Sequence, residues 1–291
     1  MTQDDTALIG LDWGTTSLRA YRIGRDGRVL ERRVGETGIL KVPGGDFAGA
    51  LATAAGDWLA AAPQLPVLAA GLATVAGPGG REVRLVPGLA RPGAAEGFPD
   101  VMRGEETQIV GALAAAPGEE RRCFVLPGTH SKWAWTSGTR IERFATYMTG
   151  EAFEVLTRHS ILGRLMQGDA HDPAAFARGL ERARASGGAP PGRLLHDLFG
   201  TRTLGLFGEL PATALGSYLS GLLIGAEVTA ALAETGGAPV TILASSQLAS
   251  LYATALAAAG AVAAVGDVDS AARGLHAVAR TARLLVERKD A

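Results

Sequence analysis

Hydrophobic positions along the chain fall into short apolar runs and into longer stretches with helical spacing. The short runs predict strands over 7–11, 18–23, 29–34, 66–70, 83–86, 122–126, 133–135, 240–243 and 262–265. Apolar residues three or four positions apart predict helices over 47–62, 105–116, 152–159, 172–185, 194–206, 215–232, 248–259 and 270–287. A break is expected near Gly200. Because strands alternate with helices, the pattern predicts an α/β protein with parallel strands.

The first two predicted strands enclose a polar turn, Asp12-Trp13-Gly14-Thr15-Thr16-Ser17. Three hydroxyl residues after a glycine supply N–H and O–H donors, which suit a phosphate chain. Asp12, at the mouth of the turn, could hold magnesium beside those phosphates, directly or through water. The alternative is that Asp12 caps the turn and the hydroxyls are only solvated.

A second polar turn, Pro127-Gly128-Thr129-His130-Ser131, follows the strand predicted over 122–126. It shares the pattern G-T-x-S with the first turn. Duplication of such a hairpin in each half of a chain is more specific than either copy alone. The pair predicts nucleotide binding through Gly14, Thr15, Thr16 and Ser17 in one half and Gly128, Thr129 and His130 in the other.

Arg103-Gly104-Glu105-Glu106 opens the helix predicted over 105–116. Carboxylates in a first turn are favoured by the helix dipole, and that alone can explain one of the two acids. Either Glu105 or Glu106 could instead deprotonate a hydroxyl group. Arg103 could bind an anionic substrate group, with Lys132 as the second candidate, or it could pair with a neighbouring glutamate.

Two features near the C-terminus could receive a nucleoside. The strand over 240–243 leads into a helix through small residues that include Ser245 and Ser246. The helix over 215–232 carries Gly216, Gly221 and Gly225, which permit close approach by either a neighbouring helix or a nucleotide.

Composition excludes several classes of protein. Hydrophobic residues make up 47% and charged residues 20%, and Lys plus Arg at 28 balance Asp plus Glu at 29, so neither disorder nor a nucleic-acid partner is indicated. The single cysteine, Cys123, is expected in the core, and five scattered histidines show no metal-ligand spacing. Without a signal peptide or an apolar run of about 18 residues, a cytoplasmic protein with no membrane partner is expected.

The motifs L-D-W-G-T-T-S-L-R-A, M-R-G-E-E-T-Q, L-P-G-T-H-S-K-W, T-Y-M-T-G-E and S-G-L-L-I-G-A-E-V together resemble the 2-dehydro-3-deoxygalactonokinase family over 8–279. The resemblance implies ATP-dependent phosphorylation of the 6-hydroxyl of 2-dehydro-3-deoxy-D-galactonate, with Mg²⁺. It also implies the two-domain, actin-like ATPase (ribonuclease H-like) fold with an interdomain cleft. We expect an N-terminal domain over 1–118 and a C-terminal domain over 119–291, whose last helix could pack back on the first domain.

Within that family resemblance, the catalytic candidates are Glu105, Glu106 and Asp12, and Asp12 is also the metal ligand. The cofactor-binding candidates are Asp12, Gly14, Thr15, Thr16, Ser17, Gly128, Thr129, His130, Ser245 and Ser246. The substrate candidates are Trp13, Arg103 and Lys132. The two phosphate loops are expected to face each other across the cleft.

Two alternatives remain. One is a non-enzymatic nucleotide-binding regulator, such as a repressor, although a first strand within the first ten residues leaves no room for a DNA-binding segment. The other is a related kinase with a different sugar or sugar acid as its substrate. The oligomeric state stays open, with a homodimer as one alternative.

Overall fold

The computed structural model describes residues 5–71, 77–93, 97–187 and 192–285. The strands are β1 Thr6–Trp13, β2 Leu18–Gly24, β3 Val29–Gly35, β4 Val67–Ala70, β5 Arg84–Leu85, β6 Leu89–Arg91, β7 Asp100–Met102, β8 Arg121–Leu126, β9 Ser131–Ser137, β10 Arg140–Tyr147, β11 Val240–Ile242 and β12 Ala263–Val265. The α-helices are α1 Phe47–Ala61, α2 Glu105–Ala115, α3 Thr149–His159, α4 Pro173–Ala185, α5 Arg193–Leu206, α6 Leu215–Leu232, α7 Ser246–Ala258 and α8 Ser270–Thr281.

The chain divides into two compact units. Unit 1 comprises Met1–Glu120, Gly138–Arg140 and Asp267–Ala291, and unit 2 comprises Arg121–Ser137 and Ile141–Gly266. The last helix, α8, therefore belongs with the N-terminal half of the chain.

Each unit is built on a mixed five-stranded sheet. In unit 1 the strand order is β3-β2-β1-β4-β5, with β1 antiparallel to β2 and parallel to β4. In unit 2 the order is β10-β9-β8-β11-β12, with β8 antiparallel to β9 and parallel to β11. The two orders correspond strand for strand, and the predicted α/β class is confirmed.

β1 is the central strand of unit 1, and it is buried along its whole length. Alternate side chains of a strand point to opposite faces of its sheet. Ile9 and Leu11 accordingly pack in the cluster that contains α1 residues, whereas Leu8 packs in the cluster that contains Leu275 of α8. Covered on both faces, β1 gives the turn that follows it a rigid base.

α6 is the core helix of unit 2. It is as long and as apolar as a membrane span, but 67% of it is buried inside the protein. A Cβ added at Gly221 would lie 2.1 Å from the carbonyl oxygen of Phe176 in α4, and one at Gly225 would lie 2.7 Å from Cβ of Ala183. These two glycines therefore allow α4 to pack closely on α6. Close approach by a neighbouring helix was the first of the two alternatives predicted for them.

Cys123 is buried, and burial raises the pKa of its thiol to about 12. It is the core residue that the sequence predicted.

Three helix predictions were wrong in detail. α3 begins at Thr149, three residues before the predicted start at 152. α5 continues through Gly200 without a break, because its packing against α6 outweighs the roughly 1 kcal/mol cost of a glycine inside a helix. α8 ends at Thr281 and not at 287, since Arg283 adopts a left-handed conformation (φ 55°) and the Leu284 amide donates back to the Ala279 carbonyl. Positions 72–76, which follow the strand predicted over 66–70 in the sequence, and positions 286–287 lie outside the described residues.

Candidate functional site

The first polar turn is a short, accessible loop at the end of β1. Gly14, Thr15 and Thr16 are exposed and Ser17 is half-buried. The Gly14 amide donates to the Ser17 carbonyl at 2.9 Å, which closes the loop. The donors that the sequence predicted for phosphate therefore lie at the surface of unit 1.

A segment after β3, residues 37–39, packs against this loop and serves as its brace. The Ile39 amide donates to the Gly14 carbonyl at 2.9 Å. A Cβ added at Gly38 would lie 2.3 Å from the carbonyl oxygen of Thr15 and 2.4 Å from the amide nitrogen of Thr16. Since real Cβ atoms do not approach so closely, the loop conformation depends on glycine at position 38.

Trp13 is fully buried beneath the same loop. Its indole N–H donates to the Thr37 carbonyl at 2.9 Å, and its ring meets Phe47 edge to face with 5.5 Å between centroids. Trp13 therefore has no exposed surface for a substrate, which argues against the predicted contact. It belongs to the core that supports the loop.

Asp12 is a buried carboxylate within β1, directly before Trp13, the last residue of the strand. Nη1 of Arg19 lies 3.0 Å from its Oδ2. Burial raises the pKa of Asp12, and the charge and hydrogen bond of Arg19 oppose that shift. The ion pair thus favours a charged carboxylate at a buried position.

The start of α2 packs on Gly71, which in turn contacts the end of β1. A Cβ added at Gly71, after β4, would lie 2.2 Å from the Trp13 carbonyl oxygen, and one at Gly104 would lie 3.3 Å from Cα of Gly71. Gly104 adopts φ 110°, a conformation that L side chains rarely adopt. These contacts link the start of α2, through Gly71, to the end of the strand that precedes the first phosphate loop.

Glu105 and Glu106 hold the backbone ahead of α2 in different ways. Glu106 is 5% exposed, and its carboxylate accepts hydrogen bonds from the Gly104 amide at 2.7 Å and from the Thr107 hydroxyl at 3.1 Å. Burial raises the pKa of Glu106. Glu105 is half-buried, and its Oε2 accepts from the Arg103 amide at 3.1 Å. Glu105 is thus the more accessible of the two acids.

The Arg103 side chain is exposed, and it forms no ion pair within the part of the chain that the structure describes. The predicted alternative, a pairing of its guanidinium with Glu105 or Glu106, is therefore not observed there. Lys132 lies in β9 of unit 2, where it is buried and donates to the Thr146 hydroxyl at 2.7 Å.

The second polar turn has the same kind of brace as the first. A Cβ added at Gly150 would lie 2.3 Å from the Gly128 carbonyl oxygen and 2.8 Å from Cα of Thr129. The Glu151 amide donates to the Thr129 carbonyl at 2.9 Å. Nε2 of His130 lies 2.5 Å from Oε2 of Glu151, so the brace also fixes the exposed tip of this loop.

The sequence interpretation missed this shared brace. The sequence signal for the brace is the dipeptide Thr-Gly. It occurs after β3 as Thr37-Gly38 and after β10 as Thr149-Gly150. The duplication therefore extends beyond G-T-x-S to the segment that holds each loop in place.

A cavity of about 780 Å³ opens beside the second loop, entirely within unit 2. Its walls include Gly128, Gly150, Gly216, Ser220, Ser245 and Gln247. Pockets of about 300 to 1,000 Å³ accommodate small organic ligands. Ser245, which the sequence predicts to contact a nucleoside, lines this cavity together with Gly216. Ser246 is the exposed first residue of α7.

Comparison with known proteins gives one consistent family. The model of the 2-keto-3-deoxy-galactonokinase family matches residues 12–78 and 73–278. A probable 2-dehydro-3-deoxygalactonokinase of Rhizobium meliloti is 38% identical, with 93% of this chain and 95% of the relative covered. The 2-dehydro-3-deoxygalactonokinase of Escherichia coli is 33% identical, with 93% and 97% covered.

A solved structure supports the same grouping. A crystal structure is known for a Sinorhizobium meliloti protein that carries the same kinase name as the Rhizobium relative. It superposes on this chain with a TM-score of 0.80 at 33% identity. The superposition covers 94% of this chain and 99% of that one. The actin-like fold that the sequence resemblance implied is confirmed.

Proposed function

The chain belongs to the 2-keto-3-deoxy-galactonokinase family, and from this premise we propose that it phosphorylates 2-dehydro-3-deoxy-D-galactonate with ATP. The reaction transfers the γ-phosphoryl group to the 6-hydroxyl and yields 2-dehydro-3-deoxy-6-phosphogalactonate and ADP. The observation that carries the proposal is the match of both halves of the chain to relatives with this named activity. Because the reaction belongs to sugar-acid metabolism, we also propose a cytoplasmic protein.

The nucleotide is proposed to bind with its adenosine in the cavity of unit 2. Ser245, Gln247 and Gly216 line this cavity, and Gly128 joins it to the second phosphate loop. Thr129 and His130 continue that loop, and Gly14 to Ser17 form its counterpart in unit 1. Backbone N–H and hydroxyl donors on braced loops suit phosphate oxygens, because they need no rearrangement when the ligand binds.

Asp12 is the proposed magnesium ligand, directly or through water. Oδ2 accepts from Arg19, and Oδ1 has no hydrogen bond among the described residues. No cluster of three or more His, Cys, Asp or Glu side chains in those residues could form a complete protein site for a metal. A single carboxylate still fits Mg²⁺, which in kinases binds one or two carboxylates together with substrate phosphates and water. When bound, the ion neutralises charge on the β- and γ-phosphates.

Glu105 is proposed to accept the proton of the 6-hydroxyl, with Glu106 as the second candidate. The hydroxyl oxygen then bonds to the γ-phosphorus as the bond to the bridging oxygen of ADP breaks. Positioning and charge neutralisation dominate such transfers, and a well-placed carboxylate adds to them. Arg103 is proposed to hold the substrate carboxylate through two parallel hydrogen bonds, which its exposed guanidinium is free to make. Lys132 is the second candidate.

The experiment that tests the proposal compares kcat/KM, from ADP release, across sugar acids and the corresponding neutral sugars. We expect 2-dehydro-3-deoxygalactonate to be the best substrate and neutral sugars to be poor ones. ATP hydrolysis with no phosphorylated sugar acid would contradict the proposed function. A preference for neutral sugars would instead favour another kinase of the same superfamily.

A further inference from the structure

Glu227 is a buried carboxylate in the middle of α6, and it is 3% exposed. Oε1 accepts hydrogen bonds from the Ser131 hydroxyl and from the Trp133 indole N–H, each at 2.7 Å. Oε2 accepts from the Tyr252 hydroxyl at 2.8 Å and from the Thr149 hydroxyl. Four side chains from three elements of unit 2, β9, α3 and α7, therefore converge on this one group.

Two of these four donors flank the second phosphate loop. Ser131 directly follows the exposed loop residue His130, and it is fully buried. Thr149 directly precedes Gly150, which packs on the carbonyl of Gly128. Glu227 thus anchors both the returning strand of the hairpin and the segment that braces its tip.

The remaining donors connect the same carboxylate to the cavity and to the sheet. Tyr252 in α7 lines the cavity, as Thr149 does. Trp133 lies in β9, beside Ser131 in the core of unit 2. Burial raises the pKa of Glu227 and the four hydrogen bonds oppose the shift. Without an acceptor at this position, the buried Ser131 hydroxyl and Trp133 indole N–H would lose the acceptor that satisfies them, and proteins avoid unsatisfied buried donors.

We propose that Glu227 is a positioning residue that fixes the second phosphate loop and the adjoining cavity wall in the geometry that binds nucleotide. It acts through Ser131 and Thr149 and touches no substrate. The inference rests on the proposed function, because it takes the second loop to be a nucleotide site. It predicts a specific loss of nucleotide affinity in addition to any loss of stability.

Asp197 provides a matched control in the same unit. It is also 3% exposed, and it accepts hydrogen bonds from Arg182, Arg193 and Ser186. Its contacts join α4 and α5, and neither Asp197 nor these partners line the cavity beside the second loop. Loss of Asp197 therefore removes a buried carboxylate network of similar size with no link to the loop.

The test measures the Kd of the non-hydrolysable analogue AMP-PNP by calorimetry, with magnesium present, together with Tm for each variant. Glu227→Met removes the acceptors while keeping an unbranched side chain, and Kd should rise at least about ten-fold. Glu227→Gln should restore Kd to within about three-fold, since its oxygen accepts from Ser131 and Trp133 and its NH₂ can donate to two rotated hydroxyls. Asp197→Ala should lower Tm and leave Kd within about two-fold.

Unchanged Kd in a folded Glu227→Met protein, or an equal rise in Asp197→Ala, would overturn the inference. If Glu227→Met does not fold, Ser131→Ala decides the matter, because it removes one donor and leaves the carboxylate in place. A rise in Kd of about three-fold or more supports the inference, and a smaller change refutes it. Absence of AMP-PNP binding by the unmodified protein would overturn the proposed function itself, and this inference with it.

Discussion

Asp12 and Arg19 face each other across the first hairpin as an ion pair, with Nη1 of Arg19 lying 3.0 Å from Oδ2 of Asp12. They are directly paired residues of β1 and β2. The arginine therefore holds one oxygen of a buried carboxylate, Oδ2, two residues before the phosphate loop begins. This arrangement suits a group that must remain charged near the phosphates of a nucleotide.

Asp12→Ala should abolish turnover while the protein remains folded, because no other carboxylate lies in either phosphate hairpin. The measurement is kcat, with circular dichroism as the check on folding. Asp57→Ala is the control, since it removes another aspartate of unit 1 that pairs with an arginine, Arg33, at the surface. Near-normal kinetics in folded Asp12→Ala protein would rule out its role at the phosphates.

Glu105→Gln should lower kcat by about 10²- to 10⁴-fold, the typical contribution of a positioned general base. Glu106→Gln should lower kcat by only a few-fold, because the structure commits that buried carboxylate to the Gly104 amide and the Thr107 hydroxyl. Each variant serves as the control for the other in steady-state assays. The opposite order would make Glu106 the base, and two small effects would place the base elsewhere.

Arg103→Lys should raise KM for the sugar acid strongly and leave KM for ATP almost unchanged, because lysine cannot make the bidentate contact. Arg84→Lys is the matched control: Arg84 is an exposed arginine of unit 1, and its partner is the exposed Glu82. Equal changes in both KM values would defeat the assignment of Arg103 to the substrate.

Gly38→Ala and Gly150→Ala should each lower kcat/KM for ATP by at least about ten-fold, because a methyl group at either position would displace a phosphate loop. Gly56→Ala in α1 is the control, since its added Cβ would meet only Ala52 Cβ at an ordinary 3.8 Å. Wild-type values for both loop variants would show that the braces do not determine the loop geometry.

Local sequence patterns predicted much of this fold, because the apolar runs and the glycine-containing turns act over a few residues. β1, β2 and the exposed tip Gly14 to Thr16 follow from one such pattern. The duplicated G-T-x-S likewise indicated the second loop. The burial of Trp13 could not be predicted, because a tryptophan beside a polar turn can point either to a ligand or into the core, and the sequence alone does not distinguish the two.

The network around Glu227 could not be predicted in the same way. Its four partners come from three separate segments, β9, the start of α3 and α7, and only the folded chain brings them to one carboxylate. A signal was nevertheless present, because Glu227 is the one charged residue in the apolar sequence of α6. A buried charge costs stability unless it is hydrogen-bonded, so such a residue in a core helix indicates a network or a site.

Transfer of labelled phosphate from γ-labelled ATP to 2-dehydro-3-deoxygalactonate, with the product analysed by phosphorus NMR, tests the central claim most directly. The account predicts one labelled phosphate ester on the 6-oxygen for each ADP formed. Release of all the label as inorganic phosphate, or an intact nucleotide after prolonged incubation with the sugar acid and magnesium, would contradict it.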